Sequence, residues 1–145
     1  MFLVTPSFET QITMPYKNLN NSLSKLKGSS VTVSAAYVGT QLLFSEGAKL
    51  SAHYWRVVSN GMEARSSFDH DQKYGRPAPI DAIKELQKVL RKKTVTEARV
   101  DNETGDLHFR FRGNIKLQVF AFSSYEVWEL TPADGKGSYY SNFAK

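Results

Sequence analysis

The sequence predicts an α+β fold, mainly antiparallel β-sheet meanders in two pseudo-repeated halves, each preceded by a short helix. Three observations predict it. Two segments, Leu19–Lys27 and Ile80–Lys93, place leucine, isoleucine and valine at helical spacing and end in basic residues. Each is followed by runs in which apolar and polar residues alternate, the mark of strands buried on one face. The halves also echo one another at fixed spacing. Leu26-Lys-Gly-Ser-Ser-Val31 lines up with Leu90-Arg-Lys-Lys-Thr-Val95. Leu42-x-Phe44 followed by Leu50 lines up with Phe109-x-Phe111 followed by Leu117, and Tyr54-Trp55-Arg56-Val57 with Val127-Trp128-Glu129-Leu130. Two copies are too few for a solenoid. They imply one pseudo-symmetric domain over residues 1–145, with halves at about 15–67 and 80–131 joined by a linker at 68–79.

The elements follow in order. Phe2 to Met14 alternates in part and reads as one or two short strands, with Pro6 at an edge or turn. Pro15 breaks the chain. Leu19, Leu23 and Leu26 then define a short amphipathic helix that stops at Gly28. Val31 and Val33 mark a strand, Thr40 to Ser45 a second, and Ala48 to Val58 a long third with Leu50, Ala52, Tyr54 and Arg56 on one face. Asn60-Gly61 signals a hairpin, because both residues accept the positive φ of a type I′ turn. Met62 to Ser67 is the returning strand. Polar Phe68 to Pro79 is the linker, and Ile80, Ile83, Leu86, Val89 and Leu90 share the apolar face of the second helix. Asp81 in its first turn and Arg91-Lys92-Lys93 at its end suit the helix dipole. Strands at Thr94–Val100, Asp106–Arg112, Ile115–Phe122 and Tyr125–Leu130 complete the second half. The aromatics Tyr125, Trp128, Tyr139, Tyr140 and Phe143 read as a lid closing an open sheet in preference to interface anchors.

Composition narrows the function. At 145 residues and 12% aromatic, the chain carries core-forming material that disordered segments lack. The absence of cysteine excludes a disulfide framework, a thiolate metal site and a cysteine nucleophile. No apolar run is long enough to span a membrane, and Met1 to Pro6 has no basic leader region, so a cytoplasmic location and no membrane partner are expected. Of His53, His70 and His108, only His70 neighbours carboxylates, in Asp69-His70-Asp71, which reads as solvated linker; no metal and no cofactor are expected. Phosphate-loop, zinc-protease, nucleophile-elbow and dinucleotide motifs are missing. Glu126 and Glu129 fall on opposite faces of a strand, and Glu97, Arg99 and Asp101 read as a charge-paired outer face. The expectation is that the protein is not an enzyme.

The net charge of +5 is concentrated: Lys84 to Lys116 holds nine Lys/Arg against five acids. In Leu107-His-Phe-Arg-Phe-Arg112, alternation turns Leu107, Phe109 and Phe111 inward and His108, Arg110 and Arg112 outward. Arg99, Lys116 and Gln118 on flanking strands extend that face. Lys88, Arg99, His108, Arg110, Arg112 and Lys116 are therefore the candidate partner-binding residues. A solvated sheet face is the competing reading. Because the phenylalanines turn inward, stacking of single-stranded nucleic acid loses ground to an acidic protein partner.

Gly113-Asn-Ile-Lys-Leu117-Gln-Val, then Tyr125-Glu126-Val127-Trp128-Glu129-Leu130 and Asp134-Gly135, resembles a small bacterial two-repeat domain family marked by Tyr-Glu-x-Trp. Leu26-Lys-Gly-Ser-Ser-Val31 and Phe44-Ser-Glu-Gly47-Ala-Lys-Leu50 extend the resemblance over most of Leu26 to Gly135. The tail lacks the glycine-rich close of that pattern, and Gly113 is offset by one from Gly47 in the repeat. The resemblance implies an immunity protein of a toxin system, such as contact-dependent growth inhibition, that neutralises a cognate toxin by tight binding without chemistry. A nuclease is the toxin class expected. A basic binding face calls for an acidic toxin surface, hence binding away from a phosphate-attracting active site. The alternative is a nucleic-acid-binding module using the same face.

Overall fold

The computed structural model describes residues 17–37, 39–121, 123 and 125–141; the strands expected within Phe2–Met14, and Phe143, lie outside them. Helix α1 spans 17–24 and buries Leu19 and Leu23, with Leu26 in the turn that ends it. Helix α2, Ala82–Leu90, is capped by Asp81, whose carboxylate accepts from Lys84 N at 3.0 Å. It buries Ala82, Leu86 and Leu90, while Ile80 is buried just ahead of it.

Among the described residues, ten strands form two antiparallel five-stranded sheets. They are β1 (Val31–Ala35), β2 (Thr40–Phe44), β3 (Lys49–Ala52), β4 (Trp55–Ser59), β5 (Met62–Ser66), β6 (Val95–Val100), β7 (Leu107–Phe111), β8 (Ile115–Val119), β9 (Trp128–Thr131) and β10 (Tyr139–Tyr140). The first sheet runs β1-β2-β3-β9-β10 and the second β6-β7-β8-β4-β5. The second order is the first with the halves exchanged. Each half contributes three strands to its own sheet and lends two to the other. Registers agree at the core positions: Leu42 faces Leu50 as Phe109 faces Leu117, and Leu50 faces Leu130 as Leu117 faces Val57, although β6 carries an extra residue between Val95 and Glu97 that β1 lacks. An isolated bridge between the equivalent Ser30 and Thr94 joins the two sheet edges. The internal repeat in the sequence is thus a pseudo-two-fold in space.

The exchange happens at two corners. At 53–54 the chain leaves the first sheet for the second, so the long strand expected over Ala48–Val58 is two strands, β3 and β4. The corner shifts the alternation by one residue. Leu50 and Ala52 are buried before it and Trp55 and Val57 after it, which puts Arg56 outside rather than on the Leu50 face, while half-buried Tyr54 at the corner still packs against the core. The corresponding corner between β8 and β9 shortens the strands expected over Ile115–Phe122 and Tyr125–Leu130. Each corner is pinned by an indole: Trp55 Nε1 donates to Thr40 Oγ1 at 2.9 Å, and Trp128 Nε1 to Gly105 O at 3.0 Å. Leu, Val, Phe and Trp side chains from both sheets and both helices form one buried cluster. Phe44 and Phe109 stack across it, ring centroids 5.8 Å apart.

The helices guard sheet edges. Asn20 Oδ1 accepts from Val100 N at 3.2 Å at the β6 edge, and Gln87 Nε2 donates to Val33 O at 2.9 Å at the β1 edge. The segment expected to be a solvated linker is largely exposed but anchored. Asp71 N donates to Ile80 O, Ile80 N donates to Gln72 O, and His70 Nδ1 accepts from Ala82 N at 3.1 Å at the start of α2. Tyr139 pairs with Leu130, so the tail closes the edge of the first sheet.

Candidate functional site

The outer face of the second sheet collects the charged residues. Leu107, Phe109 and Phe111 are buried, as alternation requires, which turns His108 and Arg110 outward. Register then sets two rows. Arg99, His108, Gln118 and Arg56 lie side by side on β6, β7, β8 and β4. Glu97, Arg110, Lys116 and Val58 form the next row. Between them lies a shallow depression of about 250 Å³, with Glu97, Arg99, His108, Arg110, Lys116 and Gln118 around it.

Glu97 organises the cations: its two carboxylate oxygens lie 3.6 Å from Arg99 Nε and 3.6 Å from Arg110 Nε. Arg56 donates twice to Gln118 Oε1, at 2.9 and 2.6 Å, and its guanidinium carbon lies 5.4 Å from the Phe120 ring centre. Phe120 N in turn donates to Tyr54 O, and Tyr54 stacks on exposed Phe68 at 5.4 Å. An aromatic border therefore runs beside the basic rows. Partial burial, then the neighbouring Arg99, hold His108 below the usual histidine range, with Asp106 and Asp101 opposing and Lys116 reinforcing that shift. Asp101, exposed at the β6–β7 turn, is held below the usual carboxylate range by the backbone N–H groups of Glu103 and Thr104.

Of the six residues singled out in the sequence, Arg99, His108, Arg110 and Lys116 are brought together here. Arg112 sits in the β7–β8 turn, exposed, with its N–H on Thr94 O. Lys88 lies apart, on α2 beside β1. Arg56, Tyr54, Phe68 and Phe120 were not foreseen. The repeat carried the needed signal: Trp55 aligns with Trp128, and placing both tryptophans inward turns Arg56 outward.

A second hollow, about 270 Å³ at the β3–β4 corner, is lined in part by Thr40, His53, Ser67 and His70. Thr40, Ser67 and His70 are already committed. Ser67 Oγ accepts from Trp55 N at 3.0 Å and donates to Trp55 O at 3.4 Å, and His70 Nδ1 serves the α2 N-terminus. Among the described residues, no three His, Cys, Asp or Glu are grouped to hold a metal ion, and no helix is long and apolar enough to cross a membrane. No protein family, curated protein or solved structure matches the chain.

Proposed function

We propose that this protein is an immunity protein, which neutralises a cognate bacterial toxin by tight non-covalent binding through the outer face of the second sheet. One observation carries the choice of face, and the repeat supplies its control. The equivalent positions on the first sheet, in the same register, are Thr32, Ser34, Gln41, Leu43, Lys49, Ser51 and Glu129. They stand where the second sheet has Glu97, Arg99, His108, Arg110, Lys116, Gln118 and Arg56. The first set carries one cation and one acid; the second carries four cations and one acid. Both sheets need a polar exterior to fold, so folding alone does not account for the difference. Ordered arginines suit carboxylates on a protein partner, and the resemblance to immunity proteins supplies the toxin, the cytoplasmic setting and the absence of chemistry.

The test is the double reversal R110E/K116E, assayed by pull-down of the toxin encoded alongside and by growth of cells expressing it. Both sites are exposed, so folding should persist. Affinity should fall at least about tenfold, through slower association and lost ion pairs. Undiminished binding removes this face from the interface. The aromatic border favours a second reading, single-stranded nucleic acid stacked on Phe68 and Phe120 with phosphates on the arginines. Binding of oligonucleotide that weakens steeply between two salt concentrations would support it. No binding at low salt ends it.

A further inference from the structure

Helix α2 carries a second cationic surface that the proposed function does not use. Lys84, Lys88 and Arg91 recur at spacings of four and three, and Lys92 follows. With Val31 and Thr32 of β1, these four cations line an open groove of about 550 Å³, more than twice the depression on the sheet face. No acid lines it. Glu85, the one carboxylate within α2, is turned to Arg65 on β5, with Oε1 2.8 Å from Nε and Oε2 accepting from Nη2 at 3.3 Å. The helix dipole accounts for cations in the last turn, but Lys84 stands in the first, where a positive charge opposes the dipole. The repeat again gives a control. Sixty-four residues earlier, the spacing that relates Ser30 to Thr94, the equivalents are Asn20, Ser24, Lys27 and Gly28.

The other wall is a sheet edge. Ser45 N donates to Ser30 O and Ala36 N to Gly39 O, so the even-numbered residues of this stretch carry the ladder to β2. Val31, Val33 and Ala35 therefore turn their N–H and C=O groups the other way. Gln87 Nε2 takes Val33 O, standing where a neighbouring strand would donate. The Ser30–Thr94 bridge occupies the edge on the other side of Val31. That bridge, with Val95 N donating to Ser29 O at 2.8 Å, already engages the Val31 N–H, so the two contacts close this edge and the cations are what the groove presents.

We propose that this groove docks an extended acidic segment of a protein partner, which sets its carboxylates against Lys84, Lys88, Arg91 and Lys92. Helix positions four apart rise about 6 Å, and alternate residues of an extended chain about 6.8 Å. Carboxylates on every second residue of a segment running along α2 thus keep step with Lys84 and Lys88. The site is separate from the sheet face and stands or falls independently of the proposed function.

The experiment is fluorescence anisotropy of a labelled (Thr-Glu)5 peptide titrated with the full chain, beside (Thr-Lys)5. The acidic peptide should bind saturably and (Thr-Lys)5 should not. K84E/K88E, at exposed positions and checked by an unchanged melting temperature, should weaken binding at least tenfold. R110E/K116E should leave it unchanged. Failure of the acidic peptide to bind, or indifference to K84E/K88E, overturns the site.

Discussion

Thr40→Val tests the corner that gives the sheet face its arginine. Trp55 and Thr40 are 1% and 2% exposed, and the indole N–H donates to the threonine hydroxyl at 2.9 Å. Valine keeps the shape of threonine and removes the acceptor, leaving a buried donor without a partner. Such a group costs about 1–3 kcal/mol. For a chain of this size, about 2 kcal/mol lowers Tm by about 4–8 °C. Guanidinium unfolding followed by tryptophan fluorescence measures it directly. The double variant T40V/W55F has no unmet donor, so its loss should fall short of the summed single losses by about 1 kcal/mol or more. A T40V variant within about 0.5 kcal/mol of the parent would refute the reasoning. Trp55 would then not be locked inward, and the outward placement of Arg56 would lose its cause.

Three further outcomes follow from the same geometry. Gly39 has φ +83°, and a Cβ there would collide with Ala52 O and lie 3.0 Å from His53 Cα, whereas a Cβ at Gly75 (φ +80°) would meet nothing within 4 Å. Gly39→Ala should cost about 3 kcal/mol against about 1 for Gly75→Ala; equal losses in thermal melts would mean the β1–β2 turn does not press on the corner. Asp81→Ala removes the cap on Lys84 N and should cost about 1 kcal/mol in urea unfolding, an unchanged midpoint counting against the cap. His108 is held below its ordinary range, so the unfolded chain binds the proton first as pH falls. Stability should therefore be complete above about 6.5 and decline below it toward the lowered folded-state value. H108Q should flatten that slope, and parallel stability–pH curves for the two proteins would show that His108 does not titrate differently on folding.

Much of this was legible because local rules sufficed. The leucine spacing of α1, the Asp81 start and basic end of α2, and the inward Leu107-x-Phe109-x-Phe111 stripe each depend on neighbours a few residues away. The repeat was legible too, since equivalent strands need apolar residues at equivalent steps. What escaped was long-range. That the halves exchange strands depends on how the two sheets close over a common core, and no local pattern records it. The parity slip at 53–54 follows from that exchange, so alternation alone puts Arg56 on the wrong side. Lys88 was grouped with the sheet residues by nearness in sequence, yet α2 packs against β1 of the other half.

The charge surplus of Lys84 to Lys116 is therefore two surfaces, and their chemistries differ. On the sheet, Glu97 stands between Arg99 and Arg110, and Gln118 holds Arg56 over Phe120. The Arg56 guanidinium is thereby oriented, so it has little side-chain freedom to lose when a carboxylate arrives. On α2, three lysines and Arg91 line a groove to which no described residue contributes an acid. Hydrated lysine charges on flexible stems attract at a distance and order poorly. Salt separates the two. Raising ionic strength from 0.05 to 0.5 M shortens the screening length from about 14 to about 4 Å. Contacts in the groove should weaken steeply over that range, while a partner seated on the ordered arginines should lose association rate more than residence time.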